Sequence, residues 1–596
     1  MLIHNEFKPY MAKKEETKRQ VVEGNKRLSW LMLAIGGAFC VLVGHSFRVQ
    51  AQHHSELSKF SEDRVVRSIK SPALRGTITD RNGAILAVSR YLKVATFNPK
   101  AIYAPKRQGD EINWNAISNE QFAQLAAILK LPESEVRQKL QDRSSQYVQF
   151  KTELSLEEAD ALKALNIPSL RFEERTERAY PTGNLFSHIV GFANDKGEGL
   201  EGLERVANQR LTGEDGRQVV LRDRHNNIVE LIDSPDNAAA KSGETLVLSV
   251  DQDLQQLAHD QLAATLKNFN AKAGGVVVLD AQTGEILAMA SLPDYDANYY
   301  QAYPATSLRN FAVSETMELG SVMKPFIIAK ALDDGKIGRN STFNTRPYAI
   351  GSKTIRDTHD YPSLTTQGIL QKSSNVGTSH IAALYDNQSL YQHFSDVGFG
   401  HKTGSGVSGE QSSAIKPAAK WSKLDRAVMS YGYAITANLL QMAQGYTIFT
   451  AGGKLMPATI YKQTQTPKGT QVIKPETAKQ MREMMVSITR KGGTGQDGAV
   501  PGYDVAAKTG TARKASAGGY ADKYRASFVG FAPAQNPRLI VAVSIDEPRG
   551  KGYYGGTVAG PVFREVMAGS LKILGVKPSY AVAEPAAVQT AAAKKR

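Results

Sequence analysis

The sequence predicts an α+β protein with a single transmembrane helix near its N-terminus, and two observations support this prediction. A charge-free apolar run, Leu28–Phe47, precedes the rest of the organised chain. Strand-like runs open and close the C-terminal half, with a mostly helical stretch between them. Strands at both ends of a domain predict an antiparallel sheet whose ends meet, flanked by helices.

Length and composition limit the classes of protein that are possible. With 596 residues and 41% hydrophobic residues, the chain is long and apolar enough for several folded domains. Its one cysteine, Cys40, excludes a disulfide framework and a cysteine-based zinc site. The net charge of +15 permits an anionic partner, but the basic residues are spread along the chain, so nucleic acid is not expected.

The apolar run predicts an uncleaved membrane anchor. Its 20 residues contain no Asp, Glu, Lys or Arg, and about 20 apolar residues cross a hydrocarbon core of about 30 Å. A buried core helix and a signal peptide are the alternatives, although signal peptides have shorter apolar regions. Seven basic residues precede the run, whereas only Arg48 follows directly. The positive-inside rule therefore predicts a cytoplasmic tail over residues 1–27, a single span over 28–48, and an external remainder.

Residues 49–240 predict a mixed α/β pedestal domain. Asn82-Gly83 marks a tight turn between two strands, the second of which is Ala84–Val88. Helical patterns follow at Asn119–Leu129 and Ser155–Leu165, and the second opens with a capping box. No pattern here suggests a nucleophile with its base, a metal cluster or a phosphate loop. We therefore expect a spacer or docking domain.

We predict that residues 241–580 form the α+β domain and that the Ala-rich tail, 581–596, is disordered. Two apolar runs, Gly275–Asp280 and Glu285–Ser291, flank a turn and predict a β-hairpin. Three further strand-like runs close the domain: Asp504–Thr511, Ser527–Ala532 and Leu539–Asp546.

Ser321 and Lys324 are the first candidate catalytic pair. If Ser321 opens a helix, Lys324 lies one turn away on the same face. A serine hydroxyl needs a base to become a nucleophile, and a desolvated lysine with a lowered pKa can serve. Ser413 and Lys416 have the same spacing, so the pair alone proves nothing.

Companion motifs distinguish the two pairs. Ser373 and Asn375 supply a hydroxyl and an amide, and Lys508-Thr509-Gly510-Thr511 ends a strand-like run. No Ser-x-Asn lies between Ser413 and Lys508, so only Ser321 begins an ordered set. A second Lys-Thr-Gly, at residues 402–404, falls in a Gly/Ser-rich stretch that predicts a loop.

The three elements S-x-x-K, S-x-N and K-T-G resemble those of serine β-lactamases and penicillin-binding proteins. Their context resembles class B penicillin-binding proteins over nearly the whole chain, and among them most closely the septal, division-specific D,D-transpeptidase of Gram-negative bacteria. The chain departs from the family at Leu319, where a proline is usual, and at Ala434, where a glycine is usual. The segments that carry this resemblance are Arg75–Gly83, Gly199–Glu204, Lys372–Gly377 and Lys508–Ala512.

The resemblance implies a dimerisation-type pedestal, a β-lactamase-like transpeptidase domain, and acyl transfer through Ser321. Ser321 would attack the carbonyl between the two D-alanines of a peptidoglycan stem peptide, while Lys324 accepts its proton. Ser373 would protonate the leaving D-alanine, and Asn375 would orient Lys324 and the substrate amide. Lys508, at a strand edge beside a carboxylate-bearing substrate, is expected to stay charged. Its charge and the burial of Lys324 are both expected to lower the pKa of Lys324.

The resemblance also implies how substrate is held. Thr509 and Thr511 would bind the terminal carboxylate with Lys508, beside the close-approach residue Gly510. The backbone N–H groups of Ser321 and Thr511 would form the oxyanion hole. An amine from a second stem would then resolve the acyl-enzyme and form a cross-link, in an enzyme of the D-Ala-D-Ala transpeptidase/carboxypeptidase type. No metal and no cofactor is implied.

The implied partners follow from this activity. They are peptidoglycan stem peptides ending in D-Ala-D-Ala, β-lactam antibiotics, a membrane glycosyltransferase, bitopic division proteins and the lipid bilayer. The catalytic domain would lie in the periplasm, anchored in the inner membrane. An elongation-specific class B transpeptidase and a non-catalytic β-lactam receptor or division scaffold are the alternatives. A β-lactamase would need neither the anchor nor the pedestal.

Overall fold

The fold is taken from a computed structural model, which describes residues 8–52, 66–105, 111–150, 153–222, 228–516, 519–550 and 552–580. The predicted disordered tail, 581–596, lies outside these residues. The chain forms two compact units, Met1–Pro72 with Asp215–Ala240, and Ala73–Glu214 with Lys241–Arg596.

The described N-terminal elements are, in chain order, α1 (Lys8–Gln52), β1 (Val66–Ser71), β2 (Ile78–Thr79), β3 (Ile85–Phe97), α2 (Pro99–Ile102), α3 (Asn119–Leu129), α4 (Glu133–Gln141), β4 (Val148–Gln149), α5 (Leu156–Ala164), β5 (Arg171–Ala179), α6 (Ser187–Val190), α7 (Gly202–Val206), α8 (Asn208–Leu211), β6 (Gly216–Arg222) and β7 (Ile228–Leu231).

The first half of the C-terminal part contains β8 (Leu246–Val247), α9 (Gln252–Asn268), β9 (Ala273–Asp280), β10 (Ile286–Leu292), α10 (Phe311–Ser314), β11 (Met317–Glu318), α11 (Lys324–Asp333), β12 (Thr342–Asn344), β13 (Tyr348–Ile350), β14 (Lys353–Ile355), β15 (Ser363–Thr365), α12 (Thr366–Lys372) and α13 (Asn375–Ala382). The second half contains α14 (Asn387–Asp396), α15 (Lys423–Ser430), β16 (Thr436–Ala437), α16 (Leu439–Gly445), α17 (Thr447–Thr450), β17 (Lys454–Leu455), β18 (Thr470–Gln471), α18 (Pro475–Met485), β19 (Ala506–Ser516), β20 (Gly519–Ala532), β21 (Leu539–Asp546) and α19 (Gly555–Ile573). Short 3₁₀ segments join several of these elements.

In the first unit, helix α1 covers the stretch predicted to span a membrane. Within α1, residues Arg27–Val49 are apolar and long enough to cross a bilayer, and none of this stretch is buried by the protein. An apolar surface of this length is stable only against lipid or another apolar partner. The same unit contains a three-stranded antiparallel sheet in the order β1-β6-β7.

In the second unit, the pedestal motifs meet at a buried ion cluster. Glu204 is fully buried and accepts from Arg75 Nε at 2.5 Å and from Arg178 Nε at 2.7 Å. The segments Arg75–Gly83 and Gly199–Glu204, which carried the family resemblance, are therefore joined by a buried charge pair. Removing one partner of such a pair leaves an uncompensated charge in the interior.

The predicted helices of the pedestal are confirmed, and one of its strands differs. Helix α3 has the predicted bounds, and α5 begins after Ser155, whose side chain and Glu158 form the predicted capping box. The predicted strand before the Asn82-Gly83 turn contains only the two residues of β2. The strand after the turn extends to Phe97, because it pairs with β5 along most of its length.

The predicted antiparallel sheet of the C-terminal part is confirmed. Its order is β10-β9-β21-β20-β19, so strands from the start and the end of the domain lie side by side. Strands β19 and β20 extend beyond the predicted runs to Ser516 and from Gly519. The sequence of this extension is polar and charged, so it gave no strand signal.

Both faces of this sheet are covered. On β9, Val276 and Val278 pack with apolar residues of α9 and α19. Val277 and Leu279 pack on the opposite side, in the cluster that contains Phe326 of α11. Because side chains alternate between the faces of a strand, a strand buried on both faces has a continuous apolar sequence. As a result, the start of α11 and the edge strand β19 lie close enough for residues of both to contact Ser373.

Candidate active site

Ser321 lies in a 3₁₀ turn, Gly320–Met323, that leads directly into α11. The prediction placed the start of the helix at Ser321, whereas the α-helix begins at Lys324. The turn is held by Gly432, whose carbonyl accepts from the Gly320 N–H at 3.0 Å. A Cβ on Gly432 would lie 2.1 Å from the Gly320 carbonyl oxygen, and Gly432 has φ +87°. Only glycine fits this contact.

Lys324 is fully buried behind the turn. Its Nζ donates to Ser373 Oγ at 3.1 Å, to Asn375 Oδ1 at 2.7 Å and to the Ser373 carbonyl oxygen. The structure thus brings together Lys324, Ser373 and Asn375, three residues that the motif order selected as one set. Burial lowers the pKa of Lys324 to about 7, opposed by the negative charge of Asp357. A lysine with this pKa is partly neutral near physiological pH and can accept a proton.

Ser373 and Asn375 lie at the junction of α12 and α13. Ser373 ends α12 in the left-handed conformation, with φ +59°, and this turns the chain sharply. Ser374 is the N-cap of α13 and accepts from the Gly377 N–H at 2.9 Å. The two helices thereby place the Ser373 hydroxyl and the Asn375 amide next to Lys324.

Asp357 is a site residue that the sequence reasoning missed. Its carboxylate accepts from the Ser374 hydroxyl, the Asn375 N–H and the Val376 N–H, the last at 3.0 Å. It therefore fixes the first turn of α13, where a negative charge also complements the helix dipole. Asp357 lies in a polar loop after β14, at no regular spacing from the motifs, so no local pattern marked it.

Lys508 approaches the same serine from β19. Its fully buried Nζ donates to Ser373 Oγ at 2.9 Å and to the Thr509 carbonyl oxygen at 3.0 Å. The Ser373 hydroxyl oxygen thus lies between two lysines. Burial and the nearby Lys324 lower the pKa of Lys508 well below its ordinary value. Among the described residues Lys508 has no carboxylate partner, so the expectation that it stays charged beside a substrate carboxylate stays a prediction.

The remaining residues of the K-T-G-T motif line the edge of the sheet. Thr509 Oγ1 lies 2.9 Å from Thr494 Oγ1, and Thr511 Oγ1 accepts from the Gly555 N–H at 2.9 Å, at the start of α19. A Cβ on Gly510 would lie 3.1 Å from Val322 Cγ1. Glycine at this position lets β19 lie against the nucleophile turn.

The structure separates the other Ser-x-x-Lys pair. Ser413 is buried and accepts from the Gly400 N–H and from Gln441 Nε2, whereas Lys416 forms an ion pair with Asp425 at 3.1 Å. Ser413 and Lys416 thus make separate structural contacts and do not contact each other as a catalytic pair would.

Comparison with known proteins gives consistent matches. Residues 274–568 match the penicillin binding protein transpeptidase domain, and residues 70–248 match the penicillin-binding protein dimerisation domain. The chain is 44% identical over 580 residues to the probable peptidoglycan D,D-transpeptidase PenA of Neisseria meningitidis, covering 97% of this chain and 98% of that protein. It is 33% identical over 573 residues to the peptidoglycan D,D-transpeptidase FtsI of Escherichia coli, covering 95% of each. It is 34% identical over 550 residues to the probable peptidoglycan D,D-transpeptidase PbpC of Pseudomonas aeruginosa, covering 91% and 94%.

Proposed function

The chain belongs to the class B penicillin-binding proteins, which join a dimerisation domain to a transpeptidase domain, and we propose that it cross-links peptidoglycan at the division septum. The chain is a serine-type peptidoglycan D,D-transpeptidase. The septal role rests on the resemblance of its motif context to the division-specific enzymes. An elongation-specific transpeptidase is the alternative.

One observation carries the assignment of the site residues. Lys324, Ser373 and Lys508 come from three separate elements and form one hydrogen-bonded chain, with distances of 3.1 and 2.9 Å to the Ser373 hydroxyl. Burying two lysines beside one hydroxyl costs desolvation free energy, and titratable groups perturbed in this way are typical of functional sites. Lys324, at one end of this hydrogen-bonded chain, begins the helix that directly follows the turn carrying Ser321.

In the proposed acylation, Ser321 attacks the carbonyl between the two D-alanines. Neutral Lys324 accepts the Ser321 proton, with Asn375 holding its orientation. Among the described residues, the Ser321 hydroxyl has no hydrogen bond, and such contacts often tighten only when substrate binds. The Ser373 hydroxyl passes a proton to the departing D-alanine, because it connects both lysines.

Lys508 and the two threonines bind the terminal carboxylate of the substrate in this proposal. A carboxylate next to Lys508 would raise the pKa of this lysine, so substrate binding would restore its positive charge. The backbone N–H groups of Ser321 and Thr511 stabilise the oxyanion, and loss of one such donor costs about 100- to 1,000-fold. An amine from a second stem then displaces Ser321, whereas a bound β-lactam leaves Ser321 acylated.

The remaining features concern location and partners. We propose that residues 1–27 lie in the cytoplasm, that α1 spans the inner membrane once, and that the catalytic domain is periplasmic. The basic residues before the apolar stretch support this orientation. By family resemblance, the pedestal docks a membrane glycosyltransferase and bitopic division proteins. Localisation of a fluorescent fusion tests the septal role, since an elongation enzyme would label the side wall instead.

Covalent labelling with a fluorescent penicillin tests the nucleophile. Ser321→Ala should lose all labelling, and mass spectrometry of the parent should place the adduct on Ser321. Ser413→Ala is the matched control and should label normally, because Ser413 is accounted for by structural hydrogen bonds. Labelling that persists in Ser321→Ala would contradict the assignment.

A further inference from the structure

One carboxylate joins the catalytic domain to the pedestal. Asp294 lies in the loop after β10, and its Oδ2 accepts from Asn184 Nδ2 at 2.6 Å and lies 2.8 Å from His259 Nε2. Asn184 belongs to the pedestal, whereas His259 belongs to α9, whose apolar residues pack against the catalytic sheet. The three side chains therefore form one polar bridge between two domains of the same compact unit.

The ring of His259 lies between two carboxylates. Its Nε2 contacts Asp294 on one side, and its Nδ1 is 3.5 Å from Asp260 Oδ1 on the other. Nδ1 is shielded from water and has no hydrogen-bond partner among the described residues. The side chains of His259 and Asp294 are 16% and 22% exposed, so the bridge is mostly desolvated but protons from solvent can reach it.

Protonation of His259 changes what this bridge can hold. A carboxylate only accepts hydrogen bonds, so Nε2 carries a hydrogen in both the neutral and the charged ring. In the neutral ring, Nδ1 is a buried acceptor without a donor, which costs free energy. In the charged ring, Nδ1 becomes a donor that faces Asp260, and the hydrogen bond to Asp294 becomes charge-assisted on both sides. The geometry therefore favours the charged ring.

The charges around the ring act in the same direction. The hydrogen bond to Asp294 raises the pKa of His259, and burial opposes this effect. Burial raises the pKa of Asp294, but its hydrogen bonds from His259 and Asn184 outweigh burial and lower it overall. His188, nearby in the pedestal, is kept neutral by burial, which lowers its pKa. The described charged groups that act on His259 are therefore the carboxylates of Asp294 and Asp260.

Other contacts at this junction do not titrate near neutral pH. The Tyr295 hydroxyl donates to the Ser187 carbonyl oxygen at 2.8 Å, and Asn298 forms two hydrogen bonds with the backbone of Tyr180. Burial raises the pKa of Tyr295, so its phenol stays neutral. These bonds hold the pedestal segment throughout this range, and the His259 bridge adds a contribution that depends on pH.

We propose that His259 is a pH-sensitive clasp that holds the catalytic domain to the pedestal more firmly when its ring is protonated. The ordinary pKa of histidine is about 6.5, and the contacts with Asp294 raise it. The added stability is therefore present below about pH 6.5 and is lost as pH rises through the raised pKa. The inference does not depend on the proposed function, because none of the described contacts of this bridge involves the candidate active site.

Amide hydrogen exchange of the full chain, measured by mass spectrometry at pH 5.5 and pH 8.5, tests the clasp. Rates in residues 181–190 are divided by the intrinsic rates of an unfolded peptide at the same pH. The parent should protect this segment on the order of fivefold more at pH 5.5, because the charge-assisted hydrogen bond is the stronger one. In His259→Gln, this difference should disappear. The variant isolates His259, since Lys324 also titrates in this range.

The matched control is His401→Gln, since the His401 ring bonds to the Ser395 hydroxyl, and it should keep the pH dependence of the parent. A peptide from β21 should exchange alike in the parent and in His259→Gln. Asp260→Asn removes the carboxylate beside Nδ1 from a side chain that is 59% exposed, so the protein should stay folded. The pH-dependent difference should shrink in this variant, which decides the question if His259→Gln does not fold.

Equal protection of residues 181–190 at the two pH values in the parent would overturn the proposal, and so would greater protection at pH 8.5. A difference that persists in His259→Gln, or one that also disappears in His401→Gln, would show that another group titrates. An unchanged difference in Asp260→Asn would show that the second carboxylate takes no part, which contradicts the clasp.

Discussion

The charge on Asp357 should set the pH at which Ser321 becomes reactive. Lys324 has a pKa of about 7, so its neutral form falls about tenfold between pH 8 and pH 6. Because only the neutral amine accepts a proton, the second-order rate of penicillin acylation should fall by the same factor. In Asp357→Asn, the charge that favours the ammonium form is gone. The midpoint of the pH profile should then move to lower pH, by on the order of one unit.

The measurement is the acylation rate from pH 5.5 to 8.5, with circular dichroism to confirm folding. Asparagine can still accept both backbone N–H groups through its remaining oxygen, so α13 should keep its first turn. Asp360→Asn, in the same loop, is the control and should leave the midpoint unchanged. A midpoint that stays or rises in Asp357→Asn would refute the electrostatic reasoning. A parent rate independent of pH over this range would refute the assignment of Lys324 as base.

Three further results are expected. Lys324→Arg should lose penicillin acylation almost completely, because a guanidinium does not deprotonate, while circular dichroism should show that the protein stays folded. An acylation rate near that of the parent would exclude Lys324 as the base. Ala434 has φ +59°, a conformation that glycine adopts more easily than alanine. Ala434→Gly should therefore raise the free energy of unfolding, measured by urea denaturation, by about 0.5–1 kcal/mol. The control Ala427→Gly, in helix α15, should lower it by about 1 kcal/mol. Glu204→Gln leaves the buried Arg75 and Arg178 without their carboxylate, and it should lower the free energy of unfolding by about 3 kcal/mol or more. An unchanged midpoint of urea unfolding would show that this cluster contributes little to stability.

Local patterns predicted the regular elements well where the pattern was strong. The central strands are continuous apolar runs, and α3 and α5 begin at side chains that cap helices, so each could be identified within a few residues. The outer part of the β19–β20 hairpin, residues 512–516 and 519–526, could not, because its largely polar residues are held by pairing with each other. Its strands are long because of cross-strand hydrogen bonds, which no local window contains.

The same distinction holds for the candidate site. Ser321, Ser373 and Lys508 could be selected because their motifs occur in a fixed order along the chain. Asp357 could not be selected as a site residue, because its importance depends on contacts made across the fold. Asp357 accepts three hydrogen bonds from Ser374, Asn375 and Val376 at the start of α13. The complete burial of Lys508 was likewise not readable from its motif, because it follows from tertiary packing.

The strand order of the catalytic sheet has a consequence for biosynthesis. Strand β21 lies between β9 and β20, with Leu539 paired to Asp280, so the sheet is complete only after nearly the whole chain has been made. Contacts between residues this distant in sequence form slowly. The nucleophile turn is therefore synthesised long before Lys508 and β19 can reach it. A nascent or C-terminally truncated chain would carry Ser321 without its second lysine, and we expect it to be unreactive towards penicillin until the last strands have been added.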